Sequence, residues 1–284
     1  MRTSHHNPTY PEFSGRLKRS YHLEMIRDAQ RVNAIKSAID ALANKEKTFL
    51  ELGCGSGLFV KYATDKFSTA VGIEGDPVMY ESAARLCGTS DGSTSGVMLG
   101  DAFELMIGMK FDVLLCEMLS TWMITEPQVP IVRRARSLFL KASGHIVPRR
   151  VVNLFELGNF EFGNDIVKLP VAMPQFTGVA APTIMTASVV ASEVDFESGN
   201  LDDEVNGFAE ALVLSDGFLN AARLSSIVDL APGITFYSTD TLMPLTIAPL
   251  SEPCHVKRGD KLIFRYRYRH RTVMEDVFLS AKKC

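Results

Sequence analysis

The stretch Glu51-Leu-Gly-Cys-Gly-Ser-Gly57 constrains this chain more than any other. It follows a short apolar run, Thr48–Leu52, and precedes a helix-period segment that opens near Leu58. Three glycines at alternate positions permit a tight strand-to-helix turn and let a ligand lie against bare peptide groups. The spacing is G-x-G-x-G, not the G-x-G-x-x-G of dinucleotide sites, and no Lys-Ser or Lys-Thr follows to cradle a phosphate. By itself the cluster fits either a ligand-bearing turn or a purely structural one.

Around this turn the pattern alternates. Residues 1–19 are polar and carry Pro8, Pro11, Arg16, Lys18 and Arg19, which reads as an irregular arm. Ser20 can cap one helix running to about Leu42, with Met25, Ile26, Ala29, Val32, Ile35, Ile39 and Leu42 on a buried stripe. Strands are expected at Thr48–Leu52, Ala70–Ile73, Val97–Leu99, Phe111–Cys116 and His145–Val147. Helices are expected from about Leu58, over Asp76–Leu86, and from the Pro127/Pro130 turn to about Leu140. Such alternation predicts a parallel sheet with helices on both faces.

After Pro148 the helix-period signal fades. Arg150–Leu157, Thr183–Val194, Phe208–Leu214, Arg223–Leu230, Gly233–Ser238 and Lys261–Arg271 read as strands of a barrel or sandwich. The expected fold class is α/β: a Rossmann-like domain over residues 20–148, then a mostly-β, barrel-like domain over 149–284, with residues 1–19 as an N-terminal arm.

Two acidic residues give the glycine turn a meaning. Glu74 ends the second strand, 17 residues after Gly57. A carboxylate there can accept two hydrogen bonds from a ribose diol, the ribose-reading position of doubly wound folds. Asp101 follows the third strand, where a carboxylate or backbone group could take an adenine amino group; an ordinary capping aspartate is the plainer reading. Together these motifs look like the S-adenosylmethionine (SAM) pocket of Rossmann-like methyltransferases. Its expected lining is Glu51, Gly53, Cys54, Gly55, Gly57, Glu74, Gly75, Asp101 and Ala102.

The fourth strand delivers Glu117 at its C-terminal end, where open parallel sheets place chemistry. Glu126 follows nine residues later, across the mostly apolar loop MLSTWMIT. Two carboxylates in a partly dry cavity repel unless a cation sits between them. A guanidinium suits, because its forked donors match carboxylates bidentately. The plainer readings are a glutamate favouring a helix N-terminus for Glu126 and a core-edge arginine pair for Glu117.

From these residues the chain resembles the protein arginine methyltransferase family, whose double-glutamate loop has the E-x8-E spacing of Glu117 and Glu126. Residues 22–31, HLEMIRDAQR, are similar to the helix that precedes that family's glycine motif. The resemblance implies that Arg31 binds the SAM carboxylate and that His22 and Met25 flank the cofactor; residue by residue, Asp28 and Arg31 also read as a surface ion pair and Met25 as core. Ser143–Pro148 resembles the family's connection into its β-barrel, and the segment from about Ile234 to Leu262 its last barrel strands.

The chain departs from the family in several places. The double-tyrosine motif is absent, with only Tyr21 nearby. Thr241-Leu242-Met243 stands where the family has Thr-His-Trp, Met118-Leu119-Ser120 replaces a Trp-Met-Gly run, and residues 158–182 are short for the dimerisation arm. The expected activity is SAM-dependent N-methylation of a guanidino nitrogen, on arginine-containing protein or on a small molecule bearing a guanidine or amine. The alternatives are O-, C- or amine N-methylation of a small metabolite, or a SAM-fold binding protein without turnover. Trp122, the single tryptophan, either lines the acceptor slot or packs.

Composition bears on partners. Net charge is −3, which disfavours nucleic acid as a default partner and leaves room for a local basic groove. Arg265, Arg267, Arg269 and Arg271 alternate with Tyr266, Tyr268 and His270, which puts four arginines on one strand face. They read either as a solvated face guarded against edge pairing or as an anchor for substrate carboxylates or an acidic partner. Five irregularly spaced cysteines argue against a disulfide framework and a zinc cluster, so no metal is expected and a cytoplasmic setting fits best. No 18-residue apolar run or secretory leader occurs, so no membrane partner is expected. A homodimer stays open.

Overall fold

The computed structural model describes residues 19–175 and 180–284. The arm expected at 1–19 lies outside the described residues except for Arg19, which opens the first helix, α1 (Arg19–Arg27). The single helix expected over 20–42 is two. Asp28 leaves helical geometry (φ −69°, ψ 86°) and caps a second helix, α2 (Ala29–Leu42), its Oδ1 accepting the Arg31 N–H at 3.2 Å. An aspartate carboxylate competes with the helix ladder for the N–H three residues on, so it starts a helix better than it continues one. The break reorients the apolar stripe: Val32, Ile35 and Ile39 are buried, whereas Ile26 and Ala29 are exposed.

The alternating half follows as β1 (Thr48–Leu52), α3 (Leu58–Thr64), β2 (Thr69–Glu74), α4 (Pro77–Cys87), β3 (Gly96–Leu99), β4 (Phe111–Cys116), α5 (Gln128–Leu138) and β5 (Leu140–Val147). These strands form a five-stranded parallel sheet in the order β3-β2-β1-β4-β5. Their apolar runs are buried on both faces, as parallel strands beneath helices must be. β5 begins earlier than expected, because α5 stops at Leu138 and Leu140 already pairs with Phe111.

A cis Val147–Pro148 bond leads into the antiparallel strands. They are β6 (Arg150–Asn159), β7 (Met173–Gln175), β8 (Thr183–Ile184), β9 (Val189–Asp195), β10 (Glu204–Leu212), β11 (Gly217–Ala231), β12 (Ile234–Tyr237), β13 (Leu245–Val256), β14 (Lys261–Arg269) and β15 (Phe278–Lys283). β11 is the hub, pairing with β6, β12 and β13. A second sheet, β10-β14-β15, completes an antiparallel half-barrel. The sequence pattern missed β7, β13 and β15. β13 runs through Pro249 and Pro253, residues that demote a strand in a pattern reading.

β14 also corrects the reading of its arginines. It is the middle strand of its sheet, bonded on both sides, so there is no edge for them to guard. Arg271 lies beyond the strand at φ 61°, with its guanidinium 4.8 Å from the Phe103 ring centre, so three arginines share the face rather than four.

Among the described residues two large cores hold the molecule, beside two smaller clusters. One packs α2 and α5 against the parallel sheet and takes in Val151, Phe196, Leu201, Val228 and Phe236 from the antiparallel half. The other fills the half-barrel with Phe155, Leu157, Leu224, Phe264, Tyr266 and Tyr268, and includes Trp122 and Ile124 from the loop after β4. Each such side chain contributes about 1.5–3 kcal/mol on burial. The loop between the two glutamates is therefore fastened to both cores, to the first by Leu119 and Met123 and to the second by Trp122 and Ile124.

Candidate active site

Strand register brings the predicted residues together. Leu52 pairs with both Ile73 and Cys116, so Gly53, Glu74 and Glu117 leave three adjacent parallel strands at one level. Glu74 pairs with Leu99, which places Gly100 and Asp101 one strand further along. The sheet order reverses between β1 and β4, and ligands in open α/β sheets bind in the crevice at such a switch point.

The glycine turn is built for close approach. Gly53, Gly55 and Gly57 all take positive φ (71°, 53° and 77°), which side-chain-bearing residues adopt only at a cost. A Cβ at Gly53 would meet Met118 Cε at 2.8 Å, and one at Gly55 would meet His22 Nδ1 at 3.1 Å. The Gly53 and Cys54 N–H groups both donate to Ile73 O at 2.9 Å, pinning the turn to β2. Cys54 points its thiol into the protein, against Gly72 and Val60. Glu74 Oε2 accepts the Gly55 N–H at 2.7 Å and Oε1 the Asp76 N–H at 2.8 Å. Each oxygen keeps a second lone pair, so a diol remains within its capacity.

Other predicted residues take more mixed positions. Glu51 is buried, with its carboxyl held well above the usual range by burial and its Oε2 without a partner. Asp101 is exposed and caps the following turn through the Phe103 N–H at 2.8 Å, the plainer of its two readings; Ala102 beside it is half-buried and Gly75 is exposed. His22 and Met25 are half-buried on α1, and burial lowers the His22 pKa, keeping the ring neutral at pH 7.

Arg31 is not a surface residue. It is 4% exposed, its Nη2 contacts Glu117 Oε2, and its Nη1 lacks a partner. The Asp28–Arg31 surface pair is thus replaced by a backbone cap and a buried Arg31–Glu117 pair. Glu117 Oε1 is likewise buried without a partner. Glu126 acts on Arg31 through space: burial pushes its pKa up to about 7, with the Arg31 charge opposing. Both acids therefore address one cation.

The sequence reading missed what holds them. Tyr21, noted there only as a remnant of a lost motif, hydrogen-bonds Arg31 and lies near Glu126; burial, then that carboxylate, raises its pKa. Its neighbour Ser20 offered no apolar context to mark it. Ser120 Oγ accepts the Thr125 and Glu126 N–H groups at 3.0 and 3.1 Å. Gln128, fully buried, accepts the Met118 N–H at 2.8 Å and donates to Cys116 O at 2.7 Å, bracketing Glu117. Its only signal was an amide at the start of an apolar helix face.

Trp122 packs rather than lining a slot. It is fully buried, and its Nε1 donates to Leu154 O and Ser225 O at 3.0 and 3.1 Å. Trp122 and Met123 both sit at left-handed φ (55° and 54°), a strained pair of the kind that persists only when surroundings over-determine it. Those surroundings are Tyr268 Oη on Trp122 O (3.2 Å), His270 Nδ1 on Met123 O (2.9 Å) and the Thr272 N–H on Ile124 O (3.0 Å). On the other side, Leu242 N donates to Asp28 Oδ2 at 2.8 Å, so the altered Thr241-Leu242-Met243 segment closes on the α1–α2 junction.

The orphaned Arg31 Nη1 and Glu51 Oε2, beside a glycine-rich turn, are what a nucleoside carrying an amino-acid tail would complete. Comparisons point the same way. Residues 50–147 match the methyltransferase domain family. An uncharacterized protein of Methanothermobacter thermautotrophicus is 31% identical over 241 residues, 85% of this chain and 88% of its own length. An arginine N(omega)-methyltransferase of Streptomyces achromogenes subsp. streptozoticus is 25% identical over 280 residues, covering 86% of this chain and 75% of that protein. The Trypanosoma brucei PRMT1 enzyme-prozyme heterotetrameric complex with AdoHcy superposes with a TM-score of 0.76 at 14% identity, over 94% of this chain and 98% of that one. With a glycine turn and a switch-point crevice, the chain shares a family with the Methanothermobacter protein, carries a class I SAM methyltransferase domain over residues 50–147, and has the fold plan of the protein arginine methyltransferases.

Proposed function

We propose that the protein transfers a methyl group from SAM to a guanidino-type nitrogen. One observation carries this reading: Glu117 and Glu126 both address a buried guanidinium, that of Arg31, while Glu117 Oε1 still lacks a partner. Two carboxylates against one guanidinium leave the niche an unbalanced negative charge, which favours a second forked cation. The name of the Streptomyces relative supports the same class of acceptor.

In this reading residues 20–148 hold the cofactor and residues 149–284 wall the acceptor side. Bound SAM supplies an electrophilic methyl carbon on a sulfonium. Arg31 Nη1 would take the cofactor's carboxylate and Glu74 its ribose, with Gly53–Gly57, Glu51, Gly75, Asp101, Ala102, His22 and Met25 as the residues that would hold the rest. Glu117 and Glu126 orient the acceptor and keep its positive charge on the nitrogens that do not react. The attacking nitrogen sheds a proton, which Glu126 is suited to accept because burial puts its pKa near neutrality. Alignment at a reacting distance of about 3–3.5 Å supplies the largest part of the rate.

Whether the guanidine belongs to a free small molecule or to a peptide is a question for the Thr241-Leu242-Met243 side. There Glu24, Arg27, Asp28 and Asp240 line a cleft of about 410 Å³ with Thr241 and Leu242. Labelled SAM, offered with free arginine, arginine peptides, simple amines and phenols, tests the reading. We expect label in a guanidine-bearing acceptor; transfer to phenols or amines alone would refute it.

A further inference from the structure

The reading of methyl transfer above makes no use of the arginine row of β14, and the structure gives it an unusual setting. Arg265, Arg267 and Arg269 are exposed on the outer face of the β10-β14-β15 sheet. Register sets Phe208 opposite Arg265 on β10, and Phe278 opposite Arg267 on β15. Both rings are open to solvent, at 64% and 41% exposure. The guanidinium carbons of Arg265 and Arg267 lie 5.8 Å from the Phe208 and Phe278 ring centres. The face is thus a strip of cations with an aromatic ring on each side. Its outward positions carry five basic residues, with Lys261 and Lys282, against Glu204 and Glu210, on a chain whose net charge is −3.

We propose that this face binds single-stranded RNA, with phosphates on Arg265, Arg267 and Arg269 and bases stacked on Phe208 and Phe278. The inference is independent of the methyl acceptor. Alternate residues on a strand stand about 7 Å apart, so the three cations form an evenly spaced track for a backbone. Exposed rings beside such a track are the stacking platforms single strands use, since every base has a π-face. A second copy of this chain fits poorly, because like faces would set guanidiniums against guanidiniums. An acidic peptide would satisfy the arginines but brings no base to stack on the two phenyl rings. Glu204, Asn206 and Glu210, on the same face, offer acceptors for which ribose 2′-hydroxyls are donors and deoxyribose has none.

Fluorescence anisotropy with labelled oligouridylate of about 16 nucleotides and the full chain tests this. We expect Phe208→Ala and Phe278→Ala each to weaken binding about five- to a hundred-fold, with unchanged melting temperature and methyl transfer. Arg265→Glu with Arg267→Glu should remove binding. The slope of log K against log salt should be near −2, about −0.7 for each of three phosphates. A Lys45→Glu/Arg85→Glu variant, matched in charge and remote in sequence, should bind as the parent does. No binding at about 100 µM protein, unchanged affinity in both phenylalanine variants, or equal loss in the remote variant would overturn the proposal. So would oligothymidylate binding as tightly as oligouridylate, or an alternating Glu–Phe peptide displacing it.

Discussion

The two halves of this molecule contribute to one site in opposite ways. The parallel half supplies the groups that can react: the glycine turn, Glu74 and Glu117 all emerge where paired strands end at the same level. The antiparallel half supplies none of these, yet it grips the loop that carries Glu126, through Trp122, Tyr268, His270 and Thr272. Chemistry written into strand ends is local. Its alignment is a property of a second core whose contacts with Trp122 span 32 to 146 residues of sequence.

The largest test of that division is at the acids themselves. Glu117→Gln and Glu126→Gln should each lower kcat about 10²- to 10⁴-fold. SAM affinity, measured by calorimetry, should change far less for Glu126→Gln than for Glu117→Gln, whose loss frees Arg31. Near-parental rates in both would erase the role of the parallel half.

The grip is tested next. Trp122→Ala should cost about 3–5 kcal/mol of stability, through the cavity it opens. Trp122→Phe keeps most of the ring but loses a hydrogen bond shared between two carbonyls, at about 1 kcal/mol. In the folded phenylalanine variant kcat should fall while SAM affinity holds. Equal kcat would show that the antiparallel half merely stabilises.

A further test of the same loop concerns pH. Burial raises the Glu126 pKa from its usual 4.5 to about 7. Between these values the folded state binds more protons than the unfolded one, so this group's contribution to stability falls as pH rises from 4.5 to 7. Glu126→Gln should therefore be more stable than the parent by about 3 kcal/mol at pH 8 and equal to it at pH 4, by denaturant titration. The parental kcat/KM should climb with pH through about 7. A flat profile would place the ionised carboxylate outside the reaction.

Much of this was legible in sequence, for a physical reason. G-x-G-x-G, Glu74 and Glu117 each follow an apolar strand, and a strand buried on both faces announces itself as a continuous run. Tyr21 and Gln128 were not legible as site residues, because each acts through a partner distant in the chain or through its own unusual burial. Helix spacing alone read Arg31 as half of a surface pair with Asp28, and only the family resemblance placed it at the cofactor; its contact with Glu117 spans 86 residues. The strands of the half-barrel were harder still, since proline and mixed polarity blur their period.

What the sequence by itself determined is the parallel sheet, its glycine turn and the two glutamates, because local spacing dictates which residues end strands and which turns can form. What only tertiary structure decided is where those acids meet a cation, how Trp122 holds their loop, and that the arginine row lies mid-sheet. Those depend on contacts between segments far apart in the chain, and such contacts leave no period to read.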